Sequence, residues 1–240
     1  QKKPKKYFNN NVIGTKNLVE SSFKNGVKNF IFSSTCAVYK DGLKVVTEKS
    51  NLLPRSIYGK TKLLGEKLII NKFKKQNIKF DIFRFFNVAG ASKSGKIGQI
   101  TKGDQLFKNL SIASKKKNPK INIYGNNYKT KDGTCVRDYI HVSDISKIHI
   151  KVLKKLNLNR KSIILNCGYG IGVSVLEVIN EFKKQIKKKI TIVYKKKRKG
   201  DMEHIISNNT KIKYYLKWFP KKNNLSAIVK SCISWEKKIK

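Results

Sequence analysis

Along most of this sequence, short apolar runs alternate with segments of helical period, and a chain so patterned folds most readily as an α/β protein around a parallel sheet. The stretch NNNVIGTKNLVESSFKNG has apolar residues at Val12, Leu18, Val19 and Phe23 and ends on Gly26, a glycine suited to the position just past a helix. KNFIFSS then reads as a buried strand. Tyr58 to Lys75 reads as a helix, with apolar residues at Leu63, Leu64, Leu68, Ile69 and Phe73, and FDIFRFFN as the next strand. The alternation continues with a helix opened by Ser143 or Asp144 and running through Leu156, then a strand at SIILNCG. Next come a helix behind the capping box SVLE (Ser174 to Glu177), a strand at ITIVYKK and a closing helix at NLSAIVKSCISW. The glycine cluster GYGIG (Gly168 to Gly172) falls late, lacks the full spacing of a dinucleotide-binding turn and precedes a helix already capped by Ser174, so it reads as a tight strand-to-helix loop.

With 240 residues, 39% of them hydrophobic, the chain can bury a full core. No run approaches the roughly 18 consecutive apolar residues of a membrane span, and the opening QKKPKKYFNN has no apolar segment of the export-signal kind. The formal net charge of +41 points first to nucleic acid or an anionic membrane surface. Its make-up argues otherwise: of 55 basic residues only five are arginines, whereas specific phosphate and base contacts favour the planar guanidinium fork. Tracts such as KKKRK (Lys195 to Lys199) offer weak, salt-sensitive attraction. Cys36, Cys135, Cys167 and Cys232 form no C-x-x-C pair, and His141, His149 and His204 have no metal-ligand spacing. Free thiols in a reducing cytoplasm and no metal are therefore expected.

The chemistry gathers at SIYGKTK. Tyr58 and Lys62 stand four apart, on one face of a helix. A free phenol, with a pKa near ~10, is a poor base at neutral pH, but a neighbouring ammonium favours the phenolate. The strand NFIFSS delivers Ser33, Ser34 and Thr35 to its carboxyl end, where open α/β sheets bind ligands. A hydroxyl there can bond a substrate alcohol and relay its proton to the phenolate. A Tyr–Lys pair at this spacing is common on helices, and serines often end strands; the combination is what singles this stretch out.

A strand ending in Ser-Ser-Thr and followed by YGKTK resembles the extended short-chain dehydrogenase/reductase family. YFNNNVIGT (Tyr7 to Thr15), RFFNVAGA (Arg84 to Ala91), DGTCVRDYIHVSDI (Asp132 to Ile145) and RKGD (Arg198 to Asp201) resemble that family's UDP-glucose 4-epimerase branch. The similarity spans essentially the whole chain, and DGTCVRDYIHVSDI is its most specific part. The resemblance implies a Rossmann-like doubly wound parallel sheet with a smaller C-terminal substrate domain. Residues 1–90 would lie mainly in the NAD-binding part and 91–240 mainly in the nucleotide-sugar part, with segments around 132–170 returning to the sheet.

By the same resemblance Tyr58 is the base, Lys62 holds the nicotinamide ribose and lowers the tyrosine's pKa, and Thr35 bonds the sugar hydroxyl. Asn10, Ser33 and Phe86 line the NAD pocket beside them. Asn87, Gln105, Asn122, Tyr124, Arg137, Arg198 and Asp201 hold the UDP-sugar, the two arginines on its diphosphate. That two of only five arginines fall in these motifs agrees with the suitability of a bidentate guanidinium for a diphosphate. The implied reaction interconverts UDP-glucose and UDP-galactose, a step of galactose metabolism: NAD takes a hydride from C4, a transient 4-keto sugar turns over, and the hydride returns to its other face. A cytoplasmic isomerase is implied, homodimeric through the helices starting near Asn10 and Tyr58, with no specific nucleic-acid or membrane partner.

Two departures bear on these expectations. The family's opening βαβ segment, with its glycine-rich turn, has no counterpart before Gln1, and the chain begins without methionine. A fragment lacking roughly a quarter to a third of a family member, inactive by itself, is expected on the size of such units. Ile205, in MEHII after Asp201, stands where the family controls room around the C2 substituent, so UDP-N-acetylhexosamine and UDP-pentose stay open as substrates. A nucleotide-sugar dehydratase would resemble this chain too but calls for acids after the strand threonine, where Cys36 and Ala37 stand. From a different class, a basic, non-catalytic anion-binding module would need a continuous lysine face instead of a cleft.

Overall fold

Three parallel strands form the sheet on which the rest is arranged, in the order β1-β3-β7, and their carboxyl ends lie level because Thr35 pairs with Phe85 and Phe85 with Cys167. The computed structural model describes residues 3–76, 78–101, 103, 105–155, 161–198, 200–220 and 224–239. In chain order its elements begin with α1 (Pro4–Phe8), a π-helical turn (Asn9–Ile13), α2 (Gly14–Lys24), β1 (Asn29–Thr35), a 3-10 turn (Cys36–Val38), β2 (Val45–Val46), α3 (Ile57–Lys75), β3 (Lys79–Phe85) and β4 (Asn87–Ala89). There follow α4 (Leu106–Ser114), β5 (Lys120–Tyr124), β6 (Val136–His141), α5 (Val142–Leu153), β7 (Ile163–Cys167), β8 (Gly172–Ser174), α6 (Val175–Ile186), β9 (Thr191–Lys195), β10 (His204–Ser207), α7 (Thr210–Leu216) and α8 (Leu225–Lys238). A second sheet runs β2-β10-β6-β4 with β8 antiparallel on β6, and β5 and β9 pair in parallel apart from both.

Local chemistry explains the boundaries. Helix α2 ends where Gly26 adopts φ 68°, with Gly26 N donating to Phe23 O at 3.1 Å and Val27 N to Ser22 O at 2.9 Å, a closure that satisfies the last carbonyls. Helix α3 starts on Ser56, whose Oγ accepts from Gly59 N at 2.9 Å. It then lies unusually close to β1 and the turn after it: a Cβ on Gly59 would collide with Ala37 O, and one on Gly65 would come within 2.9 Å of Phe32 Cζ. The capping box of α6 is present, Ser174 Oγ accepting from Glu177 N at 3.0 Å and Ser174 N donating to Glu177 Oε2 at 2.6 Å.

The structure departs from the sequence reading in two places. Helix α5 is capped two residues ahead of Ser143, by His141, whose Nδ1 accepts from Ser143 N at 3.1 Å, while Asp144 Oδ2 accepts from Tyr169 Oη at 2.7 Å instead of capping. Leu156, the expected end of that helix, lies outside the described residues. The GYGIG loop carries its own short strand, β8; ahead of it the backbone amides of Tyr169 and Gly170 donate to the Asp138 carboxylate at 2.9 Å each.

The main core joins the sheets to α4, α5, α6 and α8 through Phe83, Leu110, Ile140, Ile148, Leu165 and Phe182. Val19, Phe32, Ile69, Phe73 and Ile82 seal α2 and α3 onto the sheet's other side. A third cluster, Cys36, Val38, Tyr39, Val46, Phe86 and Ile205, lies beneath the carboxyl ends of the strands. All four cysteines are free and buried.

Candidate active site

A cleft of about 820 Å³ opens at the carboxyl ends of β1 and β3. At its sheet end stand Thr35, the last residue of β1, and Tyr58, in the first turn of α3, with the Thr35 hydroxyl near enough to the phenol to favour its ionised form. Thr35 Oγ1 also accepts from Ala37 N at 3.2 Å, which fixes its rotamer as the cap of the 3-10 turn. The Tyr58 ring packs edge-on against Tyr7 at 6.1 Å. The ring keeps 37% of its surface open, yet burial pushes the phenol's pKa above the ordinary value, with the Thr35 hydroxyl opposing.

Lys62 shares this helical face but not this contact. Its Nζ lies 4.1 Å from the centre of the Phe32 ring, and burial lowers its pKa while the Glu66 carboxylate one turn on opposes. The expected action of the ammonium on the phenol is therefore not what raises or lowers Tyr58 here: Phe32 and Glu66 draw the ammonium back along the helix. Ser33 is exposed at the end of β1, and Asn10 is exposed in the π-helical turn. Among the described residues the cleft lining includes neither of them, nor Lys62.

The far wall gathers the remaining residues singled out in the sequence. Phe86, buried, and Asn87, at the start of β4, lead from the strand ends into the cleft. Gln105 occupies the cap position of α4, and Asn122 and Tyr124 project from β5. Arg198 lies over the Tyr124 ring, its guanidinium carbon 3.7 Å from the centre. Arg137 is tethered by Nη1 to Val136 O at 2.9 Å and Glu203 O at 3.3 Å, and Asp201 closes the turn after Arg198 with its N donating to Arg198 O at 3.2 Å. A side lobe of about 240 Å³ joins the cleft at Thr35, Phe86, Asn87, Arg137 and Asp201 and is bounded by Ile205, 1% exposed.

Sequence reasoning passed over Lys108, Glu236, Gln99 and Trp235, which also line the cleft. Lys108 Nζ donates to Glu236 Oε2 at 2.7 Å and to Gln99 O at 2.9 Å, and Trp235 Nε1 donates to the same carbonyl at 3.0 Å. The available signal was a lysine set among buried positions of QLFKNLSIA.

The arrangement suits a ligand with two ends. Two guanidiniums and an aromatic face at one end match an anionic group carrying a flat base, and paired hydroxyls at the other can move a proton. An exposed Ser33 hydroxyl, the Lys62 ammonium and the buried Phe86 ring fit the nicotinamide riboside half of NAD at the strand ends. They supply polar groups for a ribose beside an apolar wall.

A family model described as the NAD dependent epimerase/dehydratase family matches residues 1–168. The UDP-glucose 4-epimerase of Azospirillum brasilense is 35% identical over 239 residues, covering 99% of this chain and 69% of that protein. UDP-arabinose 4-epimerase 1 of Arabidopsis thaliana is 35% identical over 240 residues, 98% of this chain and 57% of that one. The crystal structure of UDP-glucose-4-epimerase from Stenotrophomonas maltophila, with bound NAD and formylated UDP-arabinopyranose, matches with a TM-score of 0.92 at 30% identity, over 99% of this chain and 71% of that one.

Proposed function

This chain belongs to the NAD dependent epimerase/dehydratase family, and from that premise we propose that it inverts C4 of a UDP-hexose, interconverting UDP-glucose and UDP-galactose. The observation that carries this reading is that Thr35 and Tyr58 line the same cleft as Arg137 and Arg198. Bound NAD would supply the hydride acceptor for C4 and give the hydride back. Tyr58 takes the O4 proton while Thr35 holds the hydroxyl, leaving a transient 4-keto sugar. Arg137 and Arg198 hold the diphosphate, Gln105, Asn122, Tyr124 and Asp201 the uridine, and Asn87 the sugar side. The sugar, held less tightly than the nucleotide, turns about its diphosphate link and takes the proton from Tyr58 on its other face. Lys62, Ser33, Asn10 and Phe86 serve the nicotinamide side. Residues 1–90 then form the cofactor part and 91–240 mainly the sugar-nucleotide part, with β7 back on the sheet beside β3.

The residues after Thr35 favour epimerisation over dehydration. Cys36 and Ala37 occupy the positions where a dehydratase needs acids, and burial pushes the Cys36 thiol up to about 12. A second reading, a UDP-pentose or UDP-N-acetylhexosamine substrate, draws on the side lobe beside Thr35. One assay separates these: the chain, joined to the family's opening βαβ segment, is supplied with NAD and, in turn, UDP-galactose, UDP-arabinose and UDP-N-acetylglucosamine, and C4 epimers are resolved by chromatography. UDP-glucose from UDP-galactose is the expected product; no C4 epimer from any of the three would end the proposal.

Arg137→Ala removes charge-assisted bonds worth about 1.5–3 kcal/mol, so UDP should bind roughly 10- to 150-fold more weakly by calorimetry. An unchanged Kd would detach Arg137 from the diphosphate. Two copies pair through α1, the π-helical turn, α2 and α3, whose Phe8, Ile13, Leu18, Phe23 and Leu64 are apolar and exposed. Sedimentation velocity should give a dimer, and Leu18→Lys should shift it toward monomer; a wild-type monomer would remove this pairing.

A further inference from the structure

Glu66 stands one turn beyond Lys62 and two beyond Tyr58 on α3, and its carboxylate receives three hydrogen bonds. Ser34 Oγ donates to Oε1 at 2.5 Å, Arg84 Nε to the same oxygen at 3.0 Å, and Arg84 Nη2 to Oε2 at 2.7 Å. The remaining guanidinium nitrogen, Nη1, donates to Tyr39 Oη at 3.0 Å and Glu48 O at 3.2 Å, and Tyr39 donates to Asn166 Oδ1 at 2.6 Å. One polar chain therefore joins β1, α3, β3 and β7 just beneath the carboxyl ends of the strands. The Arg84 and Glu66 side chains are 2% and 1% exposed.

Stability alone does not account for such a pair, because taking two ions out of water is costly and an apolar pair of similar shape is often at least as stable. Its position is the distinguishing fact. Ser34 adjoins Thr35, so the bond from Ser34 to Glu66 ties the strand end that carries one hydroxyl to the helix that carries the other. Gly59 and Gly65 let that helix approach within reach, but close packing of smooth surfaces leaves sliding along the strand unopposed. A bidentate guanidinium opposes it, since both of its bonds to Glu66 weaken with any shift.

We propose that Glu66, gripped by Ser34 and Arg84, is a positioning residue that sets where α3 lies along β1, and so where the Tyr58 phenol and Lys62 ammonium stand relative to Thr35. The proposal rests on the epimerase reading for its catalytic consequence. The test is the double variant Glu66→Leu/Arg84→Met, which swaps the pair for apolar side chains, with Ser34→Ala as a milder companion. The double variant should melt close to the wild type and bind UDP equally well, while kcat falls at least tenfold at unchanged KM. A purely structural role predicts a lowered Tm and weakened UDP binding instead. If the double variant does not fold, the same kcat loss is expected of Ser34→Ala.

One readout does not need turnover. In protein carrying 13C-labelled tyrosine, the Tyr58 Cζ resonance, identified by its loss in Tyr58→Phe, should move in these variants as the phenol leaves Thr35. An unmoved resonance, or wild-type kcat in the variants, overturns the inference. A wild type that epimerises nothing overturns the proposed function instead, and the resonance still decides the positioning role.

Discussion

Tyr58→Phe should lower kcat by about 10²- to 10⁴-fold, the range for losing a positioned acid–base group, and leave the UDP dissociation constant unchanged. Only one oxygen is removed. The ring that packs against Tyr7 stays, and no side chain assigned to the diphosphate or the uridine is altered, so ground-state binding of the nucleotide has no reason to change. Thr35 keeps its bond from Ala37 N and loses only the neighbouring phenol oxygen. A kcat within threefold of wild type would mean that some other group takes the O4 proton, and the reading of this cleft would fail there. Burial alone makes Tyr58 a worse base at neutral pH than a free phenol would be. Movement of Lys62 off Phe32 toward the phenol is the change within this chain that would reverse that sign.

Arg84→Met, made singly, should destabilise the protein by about 3–5 kcal/mol, because it strands the Glu66 carboxylate in the interior with Ser34 as its remaining donor. At this chain length that is a fall in Tm of roughly 6–20 °C. Urea unfolding of Arg84→Met, Glu66→Leu and the double variant measures how far the losses fail to add. The double should be more stable than Arg84→Met, since it removes the stranded charge along with its partner. A loss below about 1 kcal/mol in Arg84→Met would show that water or another cation reaches Glu66, contrary to its burial.

What the sequence made legible was whatever depends on local period and local chemistry. The 3.6 spacing of Leu64, Leu68 and Ile69 marks α3, and Gly26 marks the end of α2 through its positive φ. Ser174 and Glu177 mark the start of α6 because a capping box closes within four residues. Tyr58 and Thr35 were findable as well, each at the end of an element that points toward the strand ends. Longer-range partners were not legible. The strand at Thr191–Lys195 was visible, but its pairing with β5 was not, and β8 exists only because β6 lies beside it.

The same limit applies within the site. Spacing put Lys62 on the face of Tyr58, but a four-carbon side chain chooses its direction from its surroundings, and Phe32 with Glu66 supplied the stronger ones. His141 went unread as a cap because its acceptor nitrogen serves only when the other carries the proton. Glu66 and Arg84 are 18 positions apart, and only the packing of α3 on β3 brings them together.

On the proposed function, Arg198, held over the Tyr124 ring, bears on how quickly an anion is captured as much as on how tightly it is held. Stacking occupies the faces of a guanidinium and leaves its N–H rim free, so an arriving phosphate meets a cation already oriented and partly stripped of water. The reorganisation that a loose surface lysine must undergo at each encounter is, at this position, completed when the chain folds.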